Sequence, residues 1–165
     1  MKEKDFLAAY DSFSDALFRH CYFRLYDRER SRDMVQETFI RTWEYMLQGK
    51  ELLNIRAFLY RVLNNLIVDE IRKKKTLSLE AIMEVGFQAS DNRIGKMQVE
   101  LSAEAKNLAR VMDQLDDEKR QLLVMRYIDG FGPKEIAEVL GENENVISVR
   151  LNRALKELRK LFNNG

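Results

Sequence analysis

The residues of this chain with the most readable chemistry are hydrogen-bond donors and cations near the C-terminal end. Ser148, Asn152 and Lys156 recur every fourth residue with Arg153 beside them, so one broad helix face would carry all four. A helix bearing that face has the width and the donors for a DNA major groove. A second concentration is the run Arg72-Lys73-Lys74-Lys75. Its plain reading is a set of cations offsetting a helix macrodipole at a C-terminus. Its sharper reading is a patch for backbone phosphates. Tyr60, Asn64 and Asn65 upstream favour the second, because unpaired bases need stacking and hydrogen-bonding surfaces. Catalytic constellations are missing. His20 and Cys21 are adjacent but have no companion ligands, and a metal site needs three or four such groups. They read as a surface histidine and a core cysteine. One histidine, one cysteine, no glycine-rich phosphate loop and no paired ligand motif argue against a hydrolytic or transfer enzyme, and no cofactor or metal is expected.

Those donors need an element to position them. In Phe131-Gly-Pro-Lys-Glu-Ile-Ala-Glu-Val-Leu-Gly141, Pro133 suits the first position of a helix, where its missing N–H costs nothing. Ile136, Val139 and Leu140 follow at helical spacing, and Gly141 supplies a left-handed stop. Glu142-Asn143-Glu144 makes a turn, and Asn143 or Asn145 caps the next helix. That helix buries Val146 or Ile147, then Leu151, Ala154, Leu155 and Leu158. Helix, glycine turn and second helix with a polar face form a helix-turn-helix. The competing reading is a plain helical hairpin with a solvated charged face.

The rest of the chain reads as helical throughout, and the expected fold is all-α. One proline and seven glycines in 165 residues suit that class, and 45% hydrophobic content supports a packed core. The net charge of +1 provides no global field, so DNA contact must rely on local patches. A lone cysteine fits a reducing compartment, no apolar run approaches a membrane span, and no signal peptide is visible. The expected location is cytoplasmic, without membrane insertion.

Phe6, Leu7, Tyr10, Phe13, Leu17, Phe18 and Cys21 mark a first helix, with Ser12-Phe13-Ser14 as a candidate break. Residues 27–32 read as a charged turn and 33–47 as a second helix, with Val35, Phe39, Trp43 and Met46 inward. Gly49 ends it, and Asn54 caps a third helix over 55–74. On that helix Arg56, Tyr60, Arg61, Asn64 and Asn65 lie outside the apolar stripe. Residues 76–100 lose periodicity and read as a linker, with short helical pieces around 79–85. It would separate an N-terminal domain, 1–75, from a C-terminal one, 101–165, each small enough that its own core burial is limited.

Three blocks together carry a resemblance. Asp33-Met-Val-Gln-Glu-Thr-Phe-Ile-Arg-Thr-Trp43 resembles the helix with which bacterial sigma factors grip core RNA polymerase. Residues 56–75 resemble the promoter-melting helix, and 115–158 resemble the domain that reads the upstream promoter element. Their order and spacing resemble the extracytoplasmic-function sigma factors. The resemblance implies that Asp33, Gln36 and Glu37 meet core polymerase, with Phe39 supporting that surface from its edge. It implies that Arg61 and Asn65 sit near a flipped-out base of the minus-ten element, with the loop 48–54 forming the pocket. Arg72, Lys73, Lys74 and Lys75 would hold phosphates. Ser148, Val149, Asn152 and Arg153 would enter the major groove at the minus-thirty-five element, with Arg150 on a phosphate. Ser148 and Asn64 stand where the family usually carries basic residues, Phe58 where tryptophan is common, and Glu142 and Glu144 add negative charge beside the groove. The implied partners are core RNA polymerase, promoter DNA as duplex and melted strand, and an anti-sigma factor. The alternative, a DNA-binding regulator that does not recruit polymerase, would not need the 33–43 block.

Overall fold

The computed structural model describes residues 3–85 and 102–164; the side chains of 81–85 fall outside that description. Among the described residues seven α-helices are formed: α1 Glu3–Leu25, α2 Arg28–Leu47, α3 Ile55–Val85, α4 Ala103–Asp113, α5 Asp117–Leu123, α6 Pro133–Leu140 and α7 Glu144–Asn163. A π-helical turn, Val124–Ile128, continues α5. Among the described residues there is no strand.

Local chemistry explains most of the boundaries. Asp27 caps α2, its Oδ1 accepting from the Arg30 N–H at 3.0 Å, so the run expected as a charged turn is instead a cap and first helical turn. Tyr26, at φ 55, turns the chain between α1 and α2. A left-handed non-glycine residue costs about 1–3 kcal/mol, and here the buried ring and its hydroxyl bond to the Ala109 carbonyl, 3.3 Å, hold it. The candidate break at Ser12-Phe13-Ser14 does not occur; α1 is continuous. Asn54 caps α3, as expected, by accepting from Ala57, 3.1 Å, and Asp116 caps α5 by accepting from Lys119, 2.9 Å. Gly132 donates its N–H to Glu135 Oε1 at 3.3 Å, Pro133 opens α6, and Gly141 closes it at φ +68.

α3 departs from its expected end. It continues past Lys75 to Val85, because no glycine or proline stands between them and Thr76 satisfies its hydroxyl by donating to the Arg72 carbonyl, 3.0 Å. Residues 76–85 of the expected linker are therefore helix, and 86–101 lie outside the described residues. The cations 72–75 sit well before the helix end. A macrodipole effect fades beyond the last turn, so that account of the run loses its basis.

The two helical halves, α1–α3 and α4–α7, share one core. Leu17, Cys21, Leu63 and Ile67 of the first cluster with Met125, Phe131, Ile136, Val139 and Ile147 of the second. A smaller cluster, Met112, Leu115, Leu123, Val124 and Ala154, completes the second half. Pooling apolar surface answers the limit on burial that each half would meet alone.

Candidate nucleic-acid interface

The site begins with the turn before α7. Asn143 accepts from the Asn145 N–H at 2.8 Å, which resolves the choice of cap. Ile147, Leu151 and Ala154 then point inward, whereas Val146 is largely outside. Val149, Arg150, Asn152 and Arg153 are exposed and Ser148 is half-buried, so the helix offers outward the residues expected of it. Arg150 Nη1 lies 3.7 Å from Glu142 Oε1, so a phosphate contact by Arg150 must compete with that carboxylate. A groove of about 320 Å³ runs beside this face, lined by Arg126, Tyr127, Pro133, Ser148, Leu151, Asn152 and Leu155.

On α3, Asn65 and the cations Arg72, Lys73, Lys74 and Lys75 are exposed. Arg61 is engaged within the chain. Its Nη2 donates to the Glu138 carbonyl at 2.6 Å and its Nε to the Val139 carbonyl at 3.3 Å, the open acceptors near the end of α6. Asn54 Nδ2 donates to Glu138 Oε1 at 3.3 Å, and Arg56 donates to Glu135 Oε2 at 3.1 Å while lying 4.2 Å above the Phe131 ring. The start of α3, where strand reading was expected, is thus in contact with the helix-turn-helix.

Tertiary packing overturns three exposure expectations. His20 is fully buried, not on the surface; its Nδ1 lies 2.6 Å from Asp129 Oδ2. A carboxylate only accepts, so Nδ1 carries the proton. Tyr60 is buried against Phe131, ring centroids 4.7 Å apart, and burial together with the Asp129 charge raises its phenol pKa. Asn64 is buried and accepts from Arg24 Nη1 at 3.0 Å. Arg24 itself escaped the sequence reading. It is fully buried and also donates to Asp117, at 3.1 and 3.2 Å; desolvation lowers its pKa and the Asp117 charge opposes that shift. The available signal was its register, seven residues beyond Leu17 and three beyond Cys21, which places it on the buried stripe of α1.

A separate polar face lies on α2. Asp33 and Gln36 are exposed, and Glu37 is half-buried, accepting from Arg41 Nε at 2.8 Å. Phe39 is only 4% exposed and packs against Tyr10, 4.8 Å, so it can support this face but hardly touch a partner. Trp43 is half-buried against Phe6, 5.0 Å. A groove of about 340 Å³ between α2 and α3 joins Asp33 and Glu37 to Lys73. In it Arg30 donates to both oxygens of Glu70, at 2.8 and 2.6 Å, and this bond holds the Glu70 carboxyl below its usual range. Cys21 is buried as expected, and desolvation pushes its thiol up to about 11, which leaves it inert. No group of three metal-ligating residues occurs among the described residues.

Comparison with known proteins agrees with this architecture. The model for sigma-70 region 2 matches residues 9–76, and that for sigma-70 region 4 matches residues 105–158. The chain is 28% identical over 159 residues to the ECF RNA polymerase sigma factor SigW of Bacillus subtilis (strain 168), covering 91% of this chain and 84% of that one. It is 23% identical over 164 residues to SigX of the same organism, covering 96% and 84%. It is 25% identical over 160 residues to BldN of Streptomyces coelicolor, where it accounts for 93% of itself but only 58% of the relative's length. Among solved structures, the sigma factor RpoE from Bartonella quintana, in complex with the anti-sigma factor NepR, superposes with a TM-score of 0.75 at 19% identity, covering 97% of this chain and 98% of that one. CnrH, in complex with the cytosolic domain of CnrY, gives 0.71 at 22% identity, covering 99% and 90%. These two establish the fold. The chain belongs to the sigma-70 family, as a sigma factor of the extracytoplasmic-function type. Its relatives are sigma factors rather than enzymes. None of its described helices is long and apolar enough to cross a membrane.

Proposed function

We propose that this sigma factor binds core RNA polymerase through α2 and directs it to promoters that α3 and α7 read. The observation that carries the reading is the order of parts. A region 2 with an acidic and amide face precedes a region 4 with an exposed recognition helix on the same chain. A regulator that did not recruit polymerase would have no use for the α2 face.

In this reading Asp33, Gln36 and Glu37 meet basic groups on core enzyme, and Phe39 holds their helix from beneath. Asn65 and Arg61 read an unstacked base of the melted strand, with the loop 48–54 as its pocket. Extruding a base costs a few kcal/mol, which a fitted pocket offsets. Arg72, Lys73, Lys74 and Lys75 hold phosphates. Ser148, Val149, Asn152 and Arg153 enter the major groove and Arg150 meets the backbone. The units doing this are 1–75 and 101–165, joined by 76–100, and an anti-sigma factor is a further partner, as for RpoE.

In-vitro transcription with core polymerase on a promoter library tests the reading. Enrichment of a two-part motif is expected; unselective output identical to core enzyme alone would refute it. Permanganate footprinting of Asn65→Ala on a selected promoter should show opening reduced more than duplex binding. Equal opening would remove Asn65 from the site.

A further inference from the structure

Helix α3 carries a rival for its own cations. Glu70 stands four residues before Lys74, so the two side chains share one face of the helix. A glutamate N-terminal to a lysine at this spacing is the favoured order for an ion pair within a helix. Left to itself, Glu70 would draw Lys74 out of the run 72–75 and away from any phosphate. No such pair forms. Lys74 is exposed and has no ion pair or hydrogen-bonded side-chain partner among the described residues.

Glu70 is engaged from the other wall of the groove between α2 and α3. Arg30 reaches across from the first turn of α2 and takes both carboxylate oxygens, Nε to Oε1 at 2.8 Å and Nη2 to Oε2 at 2.6 Å. A two-point bond of this kind fixes the direction of the carboxylate as well as matching its charge. The Arg30 bond holds the Glu70 carboxyl below its ordinary range, and the charges of Lys74 and Lys73 act in the same direction, so both lysines lie within electrostatic reach of it. The Arg30 side chain is 45% exposed. An ion pair that open to solvent adds little to stability. Its larger effect falls on what Glu70 is then unable to hold.

We propose that Arg30 is a positioning residue for promoter melting: by occupying Glu70 it keeps Lys74 free for a phosphate of the melted strand. The proposal rests on the phosphate-holding role given to the run 72–75. Arg30 acts from a neighbouring helix, on a competing acceptor, and touches no nucleic acid itself.

The test measures binding of reconstituted holoenzyme to a promoter duplex with a premelted minus-ten bubble, across a salt series. Lys74→Ala should weaken binding about fivefold and reduce the salt slope by about 0.7, the value for one single-strand phosphate. Arg30→Ala should do nearly the same without removing a phosphate contact, because Glu70 then takes Lys74. Two combinations identify the cause. Lys74→Ala added to Arg30→Ala should bring little further loss, and Glu70→Gln added to Arg30→Ala should restore both affinity and slope. Capture by core polymerase, measured alongside, should not change. Equal losses from Lys74→Ala with and without Arg30 would overturn the proposal while leaving Lys74 on a phosphate. A loss in Arg30→Ala that Glu70→Gln does not relieve would make Arg30 a contact or a structural support, and also overturns it. If Lys74→Ala alone changes neither affinity nor slope, the phosphate role fails and the proposal falls with it. A loss confined to core-polymerase capture would place Arg30 in that interface instead and overturn the proposal.

Discussion

Helices α2 and α7 have the same length, 20 residues, and each turns one polar face outward, but the two faces follow opposite plans. On α2 the charges are already matched. Glu37 holds Arg41, Asp33 lies 3.9 Å from Arg30, and Arg30 in turn grips Glu70. On α7, Asn152 and Arg153 have no ion pair or hydrogen-bonded partner among the described side chains, and only Arg150 has a carboxylate nearby. A partner approaching α2 must exchange one ion pair for another, so the net gain is small and what it secures is register and partner choice. A phosphate or base approaching α7 meets unpaired donors, and counterion release adds fully to binding. In the roles proposed for them, α2 is built for discrimination and α7 for availability.

Substitutions on each face can break or sharpen that contrast. The largest effect is expected from Glu37→Lys, which places like charge against a basic partner and should cost several kcal/mol of core-polymerase binding. Pull-down with core enzyme would show it, with helicity and duplex binding unchanged; undiminished capture would remove Glu37 from the interface. Next comes Arg153→Ala, expected to lose about 1–3 kcal/mol of discrimination at one upstream base pair while core binding stays intact. Matched and mismatched duplexes check this, and equal weakening of all of them would make Arg153 a phosphate contact. Ser148→Arg should strengthen upstream binding and steepen the salt dependence by roughly one ion. An unchanged slope would mean that this half-buried position does not face DNA.

The smallest effect concerns the matched charges on the α2 side. The Glu70 carboxyl is held below its ordinary value by Arg30, so its contribution to stability is present above the unfolded value and is lost as pH falls through the folded one. Solvent screening keeps the contribution below about 1 kcal/mol. Urea midpoints of wild type and Glu70→Gln should therefore differ near neutral pH and converge as pH falls through the depressed carboxyl value of the folded state. A difference that survived at low pH would point to packing rather than charge.

What the sequence made legible was local. The cap Asn54, the glycine stop at Gly141 and the inward stripe of α7 each depend on residues a few positions apart, and each is where the spacing put it. The outward placement of Asp33, Gln36, Asn152 and Arg153 follows from the same helical period. What it hid was burial imposed from a distance. His20 meets a residue 109 positions away and Arg24 one 93 away; the register of α1 places Arg24 on the buried stripe, but no local spacing names either partner. Tyr60 and Asn64 read as surface by residue type, yet Tyr60 is interior against Phe131 of the other half and Asn64 against Arg24 of α1. The overrun of α3 was missed for a different reason: four consecutive cations resemble an ending, but nothing in 76–85 stops a helix.

The bond between Arg61 and the end of α6 turns strand reading into a question of populations. A guanidinium holding the Glu138 and Val139 carbonyls is not also at a base. In its proposed role, the apparent affinity of Arg61 for melted strand is the intrinsic one multiplied by the fraction of molecules in which it has let go. If that fraction is about one in a hundred, affinity falls about a hundredfold without any change at the base itself. Any ligand that favours the separated halves raises the fraction, and linkage requires the favour to be returned: a melted strand bound at Arg61 would tighten that ligand by the same factor.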